Sequence, residues 1–214
     1  MRKDLKTVRR GELIEATIRV IARRGYAGTT LAMIGKTARL SPGIVSFYFK
    51  SKEGLFFETL RHLATEYETA WKVAVNAVGP DPAARLDAII EIDLGKDVCV
   101  RRKVAVWVAF WAEAPGRPAY SKLCTELSAE YFNQMAALCR EIAMRGGHAA
   151  VDPDMVARAL NALIDGYWVE LAMNPAGFDR DEAKRACRLF LAGVFPGEFG
   201  SDKATAEDIR LTAT

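Results

Sequence analysis

The chain has 214 residues, 50% of them apolar, which supplies a buried core and excludes wholesale disorder. Net charge is only +3, and two histidines (His62 and His148), far apart and without metal-ligand spacing, leave no basis for a hydrolytic or metal-dependent enzyme; no nucleophile motif or phosphate loop accompanies them. Cys99, Cys124, Cys139 and Cys187 form no CxxC pair and fall in apolar helical patterns, so they read as small buried hydrophobes in a reducing compartment rather than as a disulfide frame or metal site.

In chain order, the first feature is a charge asymmetry. Residues 1–52 hold 12 Lys and Arg against 3 Asp and Glu, whereas the remainder holds 18 against 24. A basic head on an acidic body is the footprint of a nucleic-acid-binding module, and also of a solvated basic face. Met1-Arg2-Lys3-Asp4 is followed by no apolar stretch, so no export signal is expected. The longest apolar run, Val104–Ala112, is too short for a bilayer span of roughly 20 residues, and a soluble cytoplasmic protein is expected.

Almost every segment has helical periodicity, so an all-α fold of about nine helices is expected. The first runs from about Thr7 to Arg24 on the stripe Leu13, Ile14, Thr17, Ile18 and Ile21, and Gly25 ends it. Thr30 caps a short second helix through Leu31, Ile34 and Ala38. Ser41 as cap and Pro42 in the first turn open a third, to about Phe47. A fourth runs from Lys52-Glu53 to about Val78, where Gly79-Pro80-Asp81-Pro82 breaks it. Five more follow, near 82–94, 98–114, 118–145, 154–173 and 179–194. The polar segment 196–214 reads as a disordered tail.

Three short helices in a basic segment match a helix-turn-helix, whose second helix enters the major groove. The stretch from Thr29 to Leu55 carries Thr30, Ile34 and Ala38, a turn, and a short helix ending in Tyr48-Phe49-Lys50-Ser51-Lys52. On these residues the chain resembles the TetR family of repressors over about residues 7–67. The physics of each part agrees. Ile34, Ala38, Leu40 and Val45 pack one short helix on the next. Pro42, Gly43, Ile44, Ser46 and Phe47 lie on or near the exposed face, where Ser46 reaches a base edge or phosphate and Ile44 and Phe47 reach thymine methyls. The resemblance implies phosphate contacts for Tyr48 and Lys52. Thr30, Lys36, Arg39, Ser41 and Lys50 complete the expected DNA-facing set, the cations adding attraction without reading sequence. Two residues depart from the family pattern. Gly35 stands where alanine is usual, costing about 1 kcal/mol in a helix, and Arg39 stands where glycine is usual and has to take up the turn geometry.

The expected organisation is therefore a DNA-binding head over 7–67 and a ligand-binding and dimerisation body over 68–195. In the body, Trp107, Phe110 and Trp111 share i, i+3, i+4 spacing, Tyr131 lies on the long next helix, and Asp165 precedes Trp168 by three. Aromatic faces plus a carboxylate suit a quaternary ammonium group. A plain core, with Asp165 capping a helix or paired to an arginine, accounts for the same residues, and the pattern alone leaves both readings open. The blocks Arg9–Ala16, Val106–Ala112 and Ala162–Trp168 look like those of the choline-responsive branch of the family, which represses glycine-betaine synthesis genes. That resemblance implies a choline-like effector touching Trp107, Phe110, Trp111, Tyr131, Asp165 and Trp168, and release from a double-stranded DNA operator. A regulator of multidrug efflux or of another metabolic operon is the alternative. The resemblance implies a homodimer through the last two helices, which the stripes Val156, Leu160, Leu163, Tyr167, Leu171 and Ala183, Cys187, Phe190, Leu191, Val194 allow, with Ala159, Ala162 and Gly166 permitting close approach. A purely intrachain core accounts for the same stripes, and the dimer is preferred because two half-sites need two heads. No cofactor is expected.

Overall fold

A computed structural model of the chain describes residues 2–199. Among them are nine α-helices: α1 (Arg2–Arg24), α2 (Leu31–Ala38), α3 (Pro42–Phe49), α4 (Lys52–Ala77), α5 (Pro82–Asp93), α6 (Arg101–Glu113), α7 (Pro118–Arg145), α8 (Pro153–Met173) and α9 (Arg180–Val194). No strand occurs among the described residues, only one isolated bridge between Pro196 and Phe199. No described helix is long and apolar enough to cross a membrane.

The punctuation works as its chemistry requires. Gly25, at φ +71°, ends α1 in the left-handed region. Thr30, Ser51, Asp81, Asp152 and Asp179 cap α2, α4, α5, α8 and α9 through their side-chain oxygens. Ser41 occupies the cap position of α3 without a side-chain cap bond, so proline rather than serine sets that start. Gly54 is sterically required: a Cβ there would lie 2.6 Å from the Phe49 carbonyl oxygen, where the chain doubles back from α3 into α4.

Several expected boundaries move for physical reasons. α1 begins at Arg2, ahead of Thr7; Leu5 and Val8 are exposed, so the early part of the helix carries no buried stripe to mark it in the sequence. α3 reaches Phe49, since Val45 and Phe49 are buried one turn apart. Val98 and Cys99 are buried in a loop rather than in α6, and Ala114–Gly116 forms a 3-10 turn. The expected tail starts too early. Phe195 and Phe199 are buried, the two rings 6.4 Å apart, and Glu198 pairs with Arg145 at 2.6 Å, so 196–199 belong to the packed body. Residues 200–214 lie outside the described residues.

The helices form two connected layers of one core. α1 packs on α2, α4 and α6, and α3 packs on α2 and α4. α4 continues into the body against α5, α6 and α7, while α8 packs on α6, α7 and α9. Arg188 and Lys184 of α9 reach Asp87 and Glu91 of α5, and Arg180 donates to the carbonyls of Leu94, Gly95 and Cys99, tying α9 to the α5–α6 loop. The packing corrects the expected dimer stripes. Val156, Leu160, Leu171, Ala183, Cys187 and Leu191 are buried against the chain's own core, and Leu163, Tyr167, Phe190 and Val194 are half-buried. On the outer face of α8 stand Met155, Ala162, Gly166, Val169 and Met173, and on that of α9 Leu189 and Gly193. The side turned outward mixes the small residues Ala162, Gly166 and Gly193 with Met155, Val169, Met173 and Leu189, while the stripes themselves are drawn into the core that their own chain offers first.

Candidate functional site

The first candidate region is the head. Ile34 and Val45 are wholly buried, pinning α3 across α2, with Ala38 and Leu40 packed beside them. This leaves Gly43, Ile44, Ser46 and Phe47 exposed on one side, Phe47 at 77% of its full accessibility. An exposed phenylalanine of that degree in a three-helix unit serves no core. Thr30, Lys36, Arg39, Ser41 and Lys50 are exposed around it. Pro42 is the first residue of α3. Tyr48 is half-buried, its ring edge-on to Phe47 at 5.3 Å. Arg10, which sequence reading passed over, braces the unit: its guanidinium donates to the Tyr48 carbonyl at 3.2 Å and to Glu58 at 3.0 Å, and lies 4.6 Å from the Phe49 ring centre. Lys52 is half-buried at the start of α4 with Nζ 5.2 Å from the Phe56 ring centre. Arg39 adopts φ 57°, ψ 39°, the left-handed geometry the turn demands of it, and Lys50 is a second non-glycine at φ 59°. Left-handed geometry costs an L-residue about 1–2 kcal/mol.

The second region is a cavity of about 240 Å³ in the body, between α4, α6, α7 and α8. Its walls are Tyr67, Trp107, Trp111, Tyr131 and Trp168, with Asp165 and Asn161 on α8 and Cys124, Leu127, Ser128 and Ile164 completing it. Trp111 and Trp168 are nearly parallel, 13° apart with centres 6.2 Å apart; Tyr67 meets Trp168 at 5.7 Å and Tyr131 at 5.6 Å. The lining contains no lysine, arginine or histidine. Asp165 lies in the middle of α8 rather than at a cap, and among the described residues no arginine pairs with it: Asn161 Nδ2 donates to its Oδ2 at 2.8 Å. Burial pushes its carboxyl up to about 6, against the pull of that hydrogen bond.

Five of the six expected ligand residues therefore line one cavity. Phe110 does not. It is wholly buried on the opposite side of α6, edge-on to Tyr26 (5.8 Å), Phe56 (6.5 Å) and Tyr120 (5.4 Å), where head meets body. Residues i and i+4 share a helix face more closely than i+3 and i+4 do, so Trp107 and Trp111 stay together and Phe110 turns away. The same junction holds a hydrogen bond between the hydroxyls of Tyr26 and Tyr120 at 3.0 Å, with the Arg117 guanidinium 4.9 Å from the Tyr26 ring centre.

Sequence reading missed Tyr67 and Asp93. Asp93 is wholly buried behind the cavity wall; Tyr131 donates its hydroxyl to Asp93 Oδ2, and Trp168 Nε1 donates to the Asp93 carbonyl at 2.8 Å. Burial pushes the Asp93 carboxyl up to about 7, with the negative charge of Asp165 adding to this and the hydroxyls of Tyr131 and Tyr67 pulling it down. The only signal for Asp93 in the sequence was an acid flanked by Ile92 and Leu94, and with Glu91 two residues earlier an acid near the end of a helix is unremarkable there.

Comparison with known proteins gives consistent results. Residues 13–59 match the model of bacterial regulatory proteins of the tetR family, and residues 82–196 match that of the BetI-type transcriptional repressor carboxy-terminal domain. The chain is 32% identical over 199 residues to the HTH-type transcriptional regulator BetI of Paraburkholderia xenovorans, covering 87% of this chain and 93% of that one. It is 33% identical over 180 residues to BetI of Pseudomonas aeruginosa, covering 84% and 89%. Among solved structures, a transcriptional regulator from Pseudomonas aeruginosa superposes with a TM-score of 0.77 at 26% identity, covering 88% of this chain and 90% of its own. A regulator from Saccharomonospora viridis, in complex with choline, superposes with 0.75 at 24% identity, covering 85% and 94%.

Proposed function

The chain belongs to the TetR family and is a transcriptional repressor with a BetI-type body, and from that premise we propose that its effector is a small choline-like cation that releases it from its operator. One observation carries this reading: a cavity walled by three tryptophans and two tyrosines, holding a carboxylate and no basic side chain. Aromatic faces attract a cation through their quadrupoles, by about 2 kcal/mol or more where water is excluded. A quaternary ammonium cannot donate hydrogen bonds, so rings satisfy it better than polar groups do. Asp165 adds the opposite charge. A cavity of 240 Å³ favours a small cation over a bulky dye, and the solved regulator that holds choline shares the fold.

Head and body are coupled through α6, which offers Trp107 and Trp111 to the cavity on one side and Phe110 to Tyr26, Phe56 and Tyr120 on the other. A cation that prefers one setting of α6 thereby biases the setting of the head. Two heads, joined through the outer faces of α8 and α9, read two half-sites, and a changed spacing lowers operator affinity. The expected contacts are Ser46, Phe47 and Ile44 to bases, and Tyr48, Lys52, Lys36, Arg39 and Lys50 to phosphates.

Calorimetry tests the effector. Choline should bind with one site per chain, and glycine betaine about tenfold or more weaker, because its carboxylate would enter a cavity that already holds Asp165 and has no basic side chain in its lining. Equal affinity for both, or a response to bulky dyes alone, would exclude the cage. Mobility shift with DNA from upstream of the protein's own gene tests the operator, and choline should weaken the complex.

The turn of the head supplies a separate test. Arg39→Gly relieves the left-handed strain and should raise stability by about 1 kcal/mol in chemical denaturation. The same change should reduce the slope of log affinity for DNA against log salt by about one. An unaltered slope would remove Arg39 from the phosphate contacts.

A further inference from the structure

The cavity shows one acid on its surface and keeps another behind its wall. Asp93, the last residue of α5, is wholly buried, yet its side chain and carbonyl meet residues that face the cavity: Tyr131 donates to Oδ2, and Trp168 Nε1 donates to the carbonyl. Asp93 Oδ1 is buried and has no hydrogen-bond partner. A buried carboxylate left half-satisfied is costly, and among the described residues no basic side chain lies against it. The groups that face it are Tyr67 from α4, Tyr131 from α7, Asp165 and Trp168 from α8, Cys187 from α9 and Cys99 from the α5–α6 loop. Nearby Arg180 spends its guanidinium on the carbonyls of Leu94, Gly95 and Cys99. Two acids and no base around an aromatic cavity is a charge arrangement completed by a cation from outside.

We propose that Asp93 is the recessed acid of the effector cavity, a positioning residue that holds Tyr131 and Tyr67 in the wall and gives up a proton when a cation enters, so that effector binding is coupled to pH. This rests on the small-cation reading of the cavity. Without effector, the Asp93 carboxyl holds its proton below about pH 7. When a cation enters, the O–H bond of that carboxyl breaks, the proton passes to solvent, and the carboxylate left behind is held by the Tyr131 hydroxyl across the ring wall from the cation.

The direction follows from the environment. Burial and the charge of Asp165 hold Asp93 up to about 7 in the empty protein. A cation nearby favours the carboxylate and lowers that value. Protons are then released between the bound value and about pH 7, affinity climbs with pH across that window by up to about tenfold per unit, and it levels off above. Asp165, held up to about 6, responds in the same direction but at lower pH, which separates the two acids.

The test is calorimetric titration of choline chloride into the full chain from pH 5.5 to 8.5, in buffers of differing ionisation enthalpy so that released protons are counted. Wild type should show an inflection near pH 7 with proton release below it. Asp93→Asn, which keeps size and a hydrogen-bonding group, should still bind choline but lose that inflection and its proton. Tyr131→Phe removes the hydroxyl that favours the carboxylate, so its inflection should move to higher pH; this variant decides the matter if Asp93→Asn fails to fold. Wild type that binds choline with the same profile and proton count as Asp93→Asn, or an inflection unmoved in Tyr131→Phe, overturns the role of Asp93 and leaves the cation cage standing. Wild type that binds no choline at any pH overturns both.

Discussion

Trp111→Ala should lower choline affinity about thirtyfold, the equivalent of a desolvated cation–π contact of about 2 kcal/mol, while leaving operator binding in the absence of choline within about twofold. Trp111 is only partly buried, so its removal opens the cavity more than it hollows the core. Its ring lies nearly parallel to that of Trp168, and a cation between or against such faces loses one of its principal partners in the variant. Calorimetry with choline and a mobility shift without it measure the two halves. Unchanged choline affinity would place the effector somewhere other than this cavity, since no other residue takes over that face.

The neighbouring substitution should do something different. Phe110→Ala is expected to cost about 3–5 kcal/mol of stability, the usual range for deleting a fully buried phenylalanine. For a chain of this size that lowers the melting temperature by about 6–20 °C. The choline affinity of the folded variant should stay within about threefold, because Phe110 touches Tyr26, Phe56 and Tyr120 rather than the cavity. Its effect on function lies in transmission: with the ring gone, α6 no longer grips the head, and the ratio of operator affinities without and with choline should shrink towards one. Differential scanning calorimetry and anisotropy of labelled operator DNA check both parts. A variant of normal stability that has lost choline binding would reverse the assignments of Phe110 and Trp111.

Local physics made much of this molecule legible from its residues. Gly25, Thr30, Pro42, Asp81 and Pro82 are start and stop signals whose chemistry acts within one turn, so the helix order could be read without any knowledge of packing. The head is short and its contacts are nearly local, which is why Ile34 and Val45 were identifiable as its core and Phe47 as exposed. Some boundaries shifted where periodicity had nothing to report, as at the start of α1, where Leu5 and Val8 are exposed, and at Val98 and Cys99, buried in a loop.

Facing, and the company a buried residue keeps, were decided by the tertiary structure. Spacing placed Phe110 and Trp111 on one broad helix face, but α1 and α4 pack on one flank of α6 and α8 on the other, and that divides the pair. The same holds for α8, whose stripe of Val156, Leu160 and Leu171 is claimed by the chain's own core, leaving Met155, Ala162, Gly166, Val169 and Met173 outside. Asp93 is the clearest case. Its apolar neighbours mark it only weakly, because its burial is produced by α4, α7 and α8 converging on the end of α5 from distant parts of the sequence. The sequence by itself determined the helices, the DNA-binding head and a set of aromatic residues in the body, since these depend on neighbours one turn away. Which of those aromatics enclose a cavity, and which acid stands behind them, depended on contacts across 38 and 75 residues of chain, which only the folded core brings together.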